Sequence, residues 1–360
     1  RGEKVADIEA ARAKKAELKA KEAELEVIAK KLDELLMSVT NIPRPDVKLG
    51  KDESENEVLR KVGEPTKFDF PVRDYLELAK MHDLIDVERA GKVSGSRFGY
   101  IKNEAVLLHF ALIQYGLSLL VKNGFVPVLP PVLVGGKAMR AMGYLEHGGS
   151  EEVYNFDKDD LYLVGTSEQS IGPMHMDEVL ELGSLPRRYV AYSSCFRREA
   201  GSYGKDTKGI LRVHQFEKLE MVVFTTPEES DKEHEFLLGL EEELMKGLKL
   251  PYQVLRLCSG DLGDPSARTY DIETWIPSEN KYRETHSSST TTDFQARRLN
   301  TRFKLPDGKP AFVHMLNGTV FSTRPIIAIL ENYQQADGTI KIPEVLQPYM
   351  GGVKVIGKNN

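Results

Sequence analysis

The stretch CFRREAGSYGKDTKGILRVHQFEKLEMVVF, residues 195–224, sets the reading of the chain. Phe196 to Glu199 closes one expected strand, near Arg188–Ser193. Arg212 through Phe224 forms the next, with Leu219–Phe224 as its apolar body. Between them GSYGKDTKG places Gly201, Gly204 and Gly209, as a long hairpin with a mobile, basic tip requires. From Arg187 to Lys218 eight Lys and Arg stand against Glu199, Asp206 and Glu217, in a chain of net charge −6. Such a local excess points to an anionic ligand. The competing reading is a surface hairpin with solvated charges. Against it, the cations sit on strand ends as well as at the tip, and Phe216 lies among them, where it could stack a base. The loop is not a Walker phosphate loop: Gly204-Lys205 is followed by Asp206, and no G-x-G-x-x-G opens a helix.

Around this hairpin the sequence is mixed α and β. Helices are expected at Asn103–Val121, Ser230–Lys246 and Pro325–Tyr333. Thr226-Pro227 is expected to place Pro in the first turn of the second, with Glu228 and Glu229 at its positive end. Further strands are expected near Leu161–Val164, Tyr252–Leu257 and Ala267–Glu273, and GFVPVLPPVLV (124–134) reads as an extended, proline-broken strand. Turns and long loops join the strands, with few β-α-β units. The fold class is therefore α+β, an antiparallel sheet flanked by helices.

At 360 residues the chain can bury one large core or two. No uninterrupted apolar run approaches the roughly 20 residues of a membrane helix, so no membrane partner is expected. Cys195 and Cys258 are the two cysteines, 63 positions apart, which suits a reducing compartment. No secretory signal pattern opens the chain. It begins at Arg1 rather than Met, and residues upstream are expected to be missing. Residues 1–38 read as one long helix. Ala11, Leu18, Leu25, Leu32 and Val39 recur every seventh position, and Ile28 and Leu35 add a second, incomplete seam. Pro43 and Pro45 end the helix.

FRREAG followed by KGILRVHQFEKLE closely resembles the second signature motif of the seryl-tRNA synthetases, of the class II aminoacyl-tRNA synthetase fold. GFVPVLPP (124–131) resembles the first motif, with Pro131 at its fixed proline and a dimer interface implied. GTSE (165–168) resembles the loop that holds the amino group of serine. ETHSSSTTTDFQARR (284–298) resembles the E-x-S-S-x-S…DFQARR segment, and LNGTVFSTRP with IIAILENYQQ (316–335) resembles the third motif. The order of the matches makes the resemblance specific. It covers nearly the whole chain.

The resemblance implies a six- to seven-stranded antiparallel catalytic sheet, a homodimer and two-step chemistry. Serine and ATP would give seryl-adenylate, and the seryl group would pass to the terminal adenosine of serine tRNA, with selenocysteine tRNA a second candidate. It implies a helical tRNA-binding arm of which one helix lies at 1–40, a linker at 41–64 and a catalytic domain at 65–360. A cytoplasmic or organellar-matrix enzyme is expected.

By the same resemblance Arg197 bridges the α-phosphate and the serine carboxylate, Glu199 and Phe216 hold adenine, Arg212 reaches the phosphates, and Arg324 meets the γ-phosphate. Glu284 and Ser287 would carry Mg²⁺. Thr166 and Glu168 would hold the ammonium, Glu220 would accept from the serine hydroxyl, and Asn317 and Thr319 would line the pocket. His214 and His286 show no Cys/His ligand spacing, so zinc is not expected. Three departures stand out. The third motif is one residue short before Arg324, Thr290 stands where Asn is common, and His286 replaces a usual Ser. Two other functional classes compete with this reading. A homologous ligase that loads a carrier protein would lack the long N-terminal helix, and a silent coiled-coil module would not need Arg197, Glu199, Phe216 and Glu284.

Overall fold

The computed structural model describes residues 2–200 and 208–357. The tip of the long hairpin, at 201–207, therefore lies outside the described residues. The chain divides into two compact units, Arg1–Thr40 and Asn41–Asn360.

The first unit holds one helix, α1 (Gly2–Met37). It has no Pro and is rich in Ala, Glu, Lys and Leu, all good helix formers. Leu18, Leu25 and Leu32 are more than half exposed along it.

The second unit is built on an eight-stranded sheet. In chain order its strands are β1 (Glu57–Val62), β2 (Val126–Val128), β3 (Arg187–Phe196), β4 (Gln215–Thr225), β5 (Tyr252–Arg256), β6 (Arg268–Ile276), β7 (Lys281–Thr292) and β8 (His314–Phe321). Across the sheet the order is β1-β5-β6-β7-β8-β4-β3-β2. The expectation of six to seven antiparallel strands is corrected in two ways. Residues 57–62, within the segment read as linker, add an edge strand antiparallel to β5. At the other edge β2 joins β3 in parallel, pairing Val126 with Tyr189 and Val128 with Ala191. Proline at 127 is tolerated in such an edge strand.

Three helices cover one face: α2 (Glu104–Lys122), α3 (Ser230–Leu248) and α5 (Arg324–Asn332). A shorter helix, α4 (Phe294–Leu299), follows β7. By length and hydropathy α2 could cross a membrane. Here Leu108, Leu112 and Leu120 are fully buried in the core with Leu219, Val320 and Phe321. Gly116 allows this close approach, because a Cβ there would meet Val320 Cγ1 at 2.7 Å. Helix α3 begins at Ser230, three residues beyond Pro227, so Pro227 lies in the preceding turn rather than the first helical turn.

Alternation along β4 divides the sheet faces. Leu219, Met221 and Val223 enter the helix-covered core, whereas Lys218 and Glu220 line a cavity on the opposite face. The second signature stretch therefore reaches the core and the site from a single strand.

Candidate active site

A cavity of about 640 Å³ opens on the sheet face opposite α2, α3 and α5. Thr166, Glu168, Arg197, Glu199, Arg212, Phe216, Glu220, Glu284, Ser287, Asn317, Thr319 and Arg324 all line it, although they come from positions far apart in the sequence. Pro131 lies away from it, exposed between β2 and the strand Leu133–Gly135.

Arg197 follows the last residue of β3. Its amide donates to the His214 carbonyl (3.0 Å) and its Nε to the Gly165 carbonyl (3.1 Å), and its guanidinium lies 5.3 Å from the Phe216 ring centre. Glu199 holds a left-handed backbone, φ 52°, and its carboxylate accepts from Arg212 Nη1 at 3.1 Å. Arg212 sits in the bend before β4, not in the strand itself as the sequence reading placed it. Arg324 is the first residue of α5, and its Nη1 lies 3.0 Å from Glu284 Oε1. The shortened third motif thus still delivers this guanidinium to the cavity.

A second group of residues is acidic and buried. Glu168 is 3 % exposed and Glu220 is 2 % exposed. Glu168 accepts from Tyr144 Oη and from Gln295 Nε2, both at 2.7 Å. Glu220 forms an ion pair with Lys218, its neighbour two positions back on the same strand face. Burial raises both carboxyls above their ordinary range. Hydrogen bonds from Gln295 and Tyr144 oppose this at Glu168, and Lys218 opposes it at Glu220. Glu284 is half exposed at the cavity wall; partial desolvation disfavours its charged form, but Arg324, Arg197 and Lys218 together hold its carboxyl below the ordinary range.

Electrostatic neighbours link the two groups. Arg197 acts on Glu220 and on Glu284, and Arg324 feels Glu284 and Glu199. Arg197 therefore stands between an acidic pocket and an arginine-lined region.

The fold and site have counterparts among known proteins. Residues 152–333 match the tRNA synthetase class II core domain of the G, H, P, S and T type. The serine–tRNA ligase of Thermobifida fusca is 49% identical over 336 residues, which span 93% of this chain and 79% of that protein. The serine–tRNA ligase of Nocardia farcinica is 47% identical over 95% of this chain and 81% of that protein. The chain belongs to the seryl-tRNA synthetase family. Its structure superposes on seryl-tRNA synthetase from Pyrococcus horikoshii, solved with ATP, at a TM-score of 0.90 and 42% identity, covering 94% of this chain and 80% of that one.

In this synthetase the acidic pocket also depends on residues to which the sequence assigns no role. Lys218 pairs Glu220 at the cavity wall, and Tyr144 and Gln295 hold Glu168. Gln295 lies inside the DFQARR segment, yet nothing in its type or spacing assigned it a role. Tyr144 carries no motif at all. His214 and His286 have structural places. His214 Nδ1 bonds the Arg197 carbonyl at 3.0 Å, and His286 Nδ1 bonds Thr285 Oγ1 at 2.9 Å.

Oxygen donors suited to Mg²⁺ also meet here. Glu284 and Ser287 line the cavity, and the buried Asp271 Oδ1 beside Ser287 has no protein partner. Among the described residues no three His, Cys, Asp or Glu side chains cluster as a protein-only metal cage. Such a donor set fits Mg²⁺, which is held by one or two carboxylates together with substrate phosphates and water.

Proposed function

We propose that this chain activates L-serine with ATP to seryl-adenylate and pyrophosphate, then transfers serine to the 3′-terminal adenosine of serine tRNA. The division of the cavity carries this reading. Buried Glu168 and Glu220 suit an ammonium and a hydroxyl, Arg197, Arg212 and Arg324 suit a triphosphate, and Arg197 joins the two regions.

The nucleophile of the first step is the serine carboxylate, already ionised at neutral pH, so no general base is needed. Catalysis rests on alignment and charge neutralisation. Arg197 orients the serine carboxylate against the α-phosphate, a task for a planar guanidinium. Arg212 and Arg324 hold the remaining phosphates, Glu199 accepts from the adenine amino group, and Phe216 stacks on the ring. Thr166 and Glu168 take the ammonium, Glu220 accepts from the serine hydroxyl, and Asn317 and Thr319 close the pocket. Glu284 and Ser287 would hold Mg²⁺, which would supply charge neutralisation at the phosphates. In the second step a ribose hydroxyl of the tRNA attacks the seryl carbonyl. A new ester bond forms, the anhydride bond breaks, and AMP leaves.

Two partner readings belong to this proposal. Leu107, Phe110, Val126 and Leu129 are 45%, 49%, 54% and 82% exposed on α2 and around the edge strand β2, and they suit burial against a second copy of the chain. Helix α1 is one helix of the tRNA-binding arm, covering 1–40. A connecting segment follows at 41–64 and the catalytic domain at 65–360, with β1 joining the catalytic sheet from within the connector.

Serine-dependent ATP–pyrophosphate exchange tests the reading, with threonine, alanine and glycine in parallel and Arg197→Ala as control. Exchange with serine alone, lost in the control, is expected. Exchange driven by alanine or glycine would favour a carrier-protein ligase instead.

A further inference from the structure

Asn41 follows α1 by four positions in the chain and opens the second unit. It is bound there more heavily than a connector residue requires. Its amide donates to the Asp264 carbonyl at 2.8 Å, and its side-chain Nδ2 lies 2.8 Å from both the Pro265 and the Thr291 carbonyl oxygens. Its Oδ1 accepts from the Ile42 amide at 2.9 Å. The residues after it are fastened as well. The Arg44 amide donates to Ala267, its guanidinium pairs with Asp231, and Asp46 meets Arg256 and Arg268 at 3.1 and 3.3 Å.

Beyond Thr291 the contacts continue inward. Thr291 Oγ1 shares its single proton between the Met315 carbonyl at 3.0 Å and Gln295 Oε1 at 3.1 Å, and Gln295 Nε2 donates to Glu168 Oε1 at 2.7 Å. Thr291, Gln295 and Glu168 are each no more than 3% exposed. Gln295 uses its acceptor on Thr291 and its donors on Glu168 and on the Met142 carbonyl, the last at 3.3 Å. The amide is therefore fixed in orientation. A swap of its oxygen and nitrogen would set oxygen against the Glu168 carboxylate.

We propose that Asn41 and Gln295 are positioning residues for serine, acting in series: Asn41 fixes the Thr291 segment, Thr291 orients Gln295, and Gln295 aims the Glu168 carboxylate at the substrate ammonium. This rests on Glu168 as the ammonium ligand. It assigns a function to a residue at the C-terminal foot of α1, outside the cavity.

Pyrophosphate exchange with purified full-length chain tests the series, with serine and ATP varied separately. Gln295→Ala should raise the serine KM about tenfold, as expected when a buried charged acceptor loses a donor. Asn41→Asp keeps the size of the side chain and its cap on Ile42 but loses the donor. It should raise the serine KM about threefold, in line with an indirect contact of this type. Neither variant should move the ATP KM. In the double variant Asn41→Asp should add nothing further, because its effect passes through Gln295. Additive effects, a serine KM unmoved by Asn41→Asp, or an equal rise in the ATP KM would each overturn the series. Glu168→Ala separates the two layers. If it leaves the serine KM intact, the assignment of Glu168 itself falls. If it raises that KM while Asn41→Asp does not, only the series falls.

Discussion

Arg324 holds Glu284 twice, its Nη1 lying 3.0 Å from Oε1 and 3.2 Å from the backbone carbonyl oxygen of the same residue. Both side chains line the cavity, so the pair fixes two opposite charges at the proposed phosphate end. On the proposed reading, bound ATP would draw the guanidinium to phosphate and free the Glu284 carboxylate to hold Mg²⁺. Arg324→Ala should therefore lower kcat/KM for ATP in pyrophosphate exchange by about 100-fold or more, the scale seen when one charge-stabilising donor is removed. Arg324→Lys should recover only part of this, since an ammonium cannot reproduce the guanidinium fork. A fully active lysine variant would mean that simple charge suffices.

Glu220 supplies the sharper specificity prediction. It is nearly fully buried and lines the cavity, and Lys218 pairs with its Oε2. A serine hydroxyl can donate to this carboxylate, and alanine offers no donor to offset its burial. Glu220→Ala should reduce the preference for serine over alanine by about 100-fold, within the range that a buried polar partner confers. The loss should fall mainly on serine. Competitive exchange assays read the ratio directly, and an unchanged ratio would remove Glu220 from the serine pocket.

Serine binding should also weaken on acidification earlier than ordinary carboxylates would allow. Burial raises the Glu168 and Glu220 carboxyls above 4.5, so each takes up its proton at a higher pH than a solvent-exposed glutamate does. Protonation removes the negative charge that attracts the ammonium. The serine KM should thus climb as pH falls, beginning above 4.5. Glu168→Gln should raise the serine KM at all pH values and remove much of this acid limb. A KM that holds steady until pH 4.5 would contradict both assignments.

Much of this architecture was legible in the sequence because hydrophobic pattern and structure agree. Asn103–Val121 reads as a buried helix and forms α2. Leu219–Phe224 reads as a strand and forms the body of β4. Strand β7 was harder to see. Its ETHSSSTTT core shows no alternation of apolar and polar residues, because both faces are polar. Ser287 and Ser289 line the cavity, while on the reverse side Thr290 Oγ1 lies 3.4 Å from Ser230 Oγ and the Ser288 carbonyl bonds His234 at 3.0 Å. Strand β1 was hidden differently. Its Val58 and Leu59 lie at a sheet edge and remain largely exposed, so a short mixed run passes for a connector. Gln295 and Tyr144 act on Glu168 through contacts that only the tertiary fold creates.

The reverse side of the sheet yields a stability prediction. Glu241 of α3 is fully buried, both its carboxyl oxygens lack partners, and one would lie 3.1 Å from a Cβ at Gly318. Burial first, then the nearby Glu220 and Asp271 charges, pushes its carboxyl well above 4.5. Unfolded, the same group ionises near 4.5. Folding above that pH therefore requires proton uptake, and the stability contributed by this group is present in acid and lost as pH rises through the folded value. Glu241→Gln replaces the acid with a neutral side chain of the same size. It should match the parent chain at pH 4 and exceed it by about 1–3 kcal/mol at pH 8, as linkage requires for a buried acid of this kind. Urea unfolding at the two pH values measures the difference. A gain of equal size at both, or a loss that grows with pH, would show that Glu241 is ionised in the folded protein, where Lys218 opposes the upward shift.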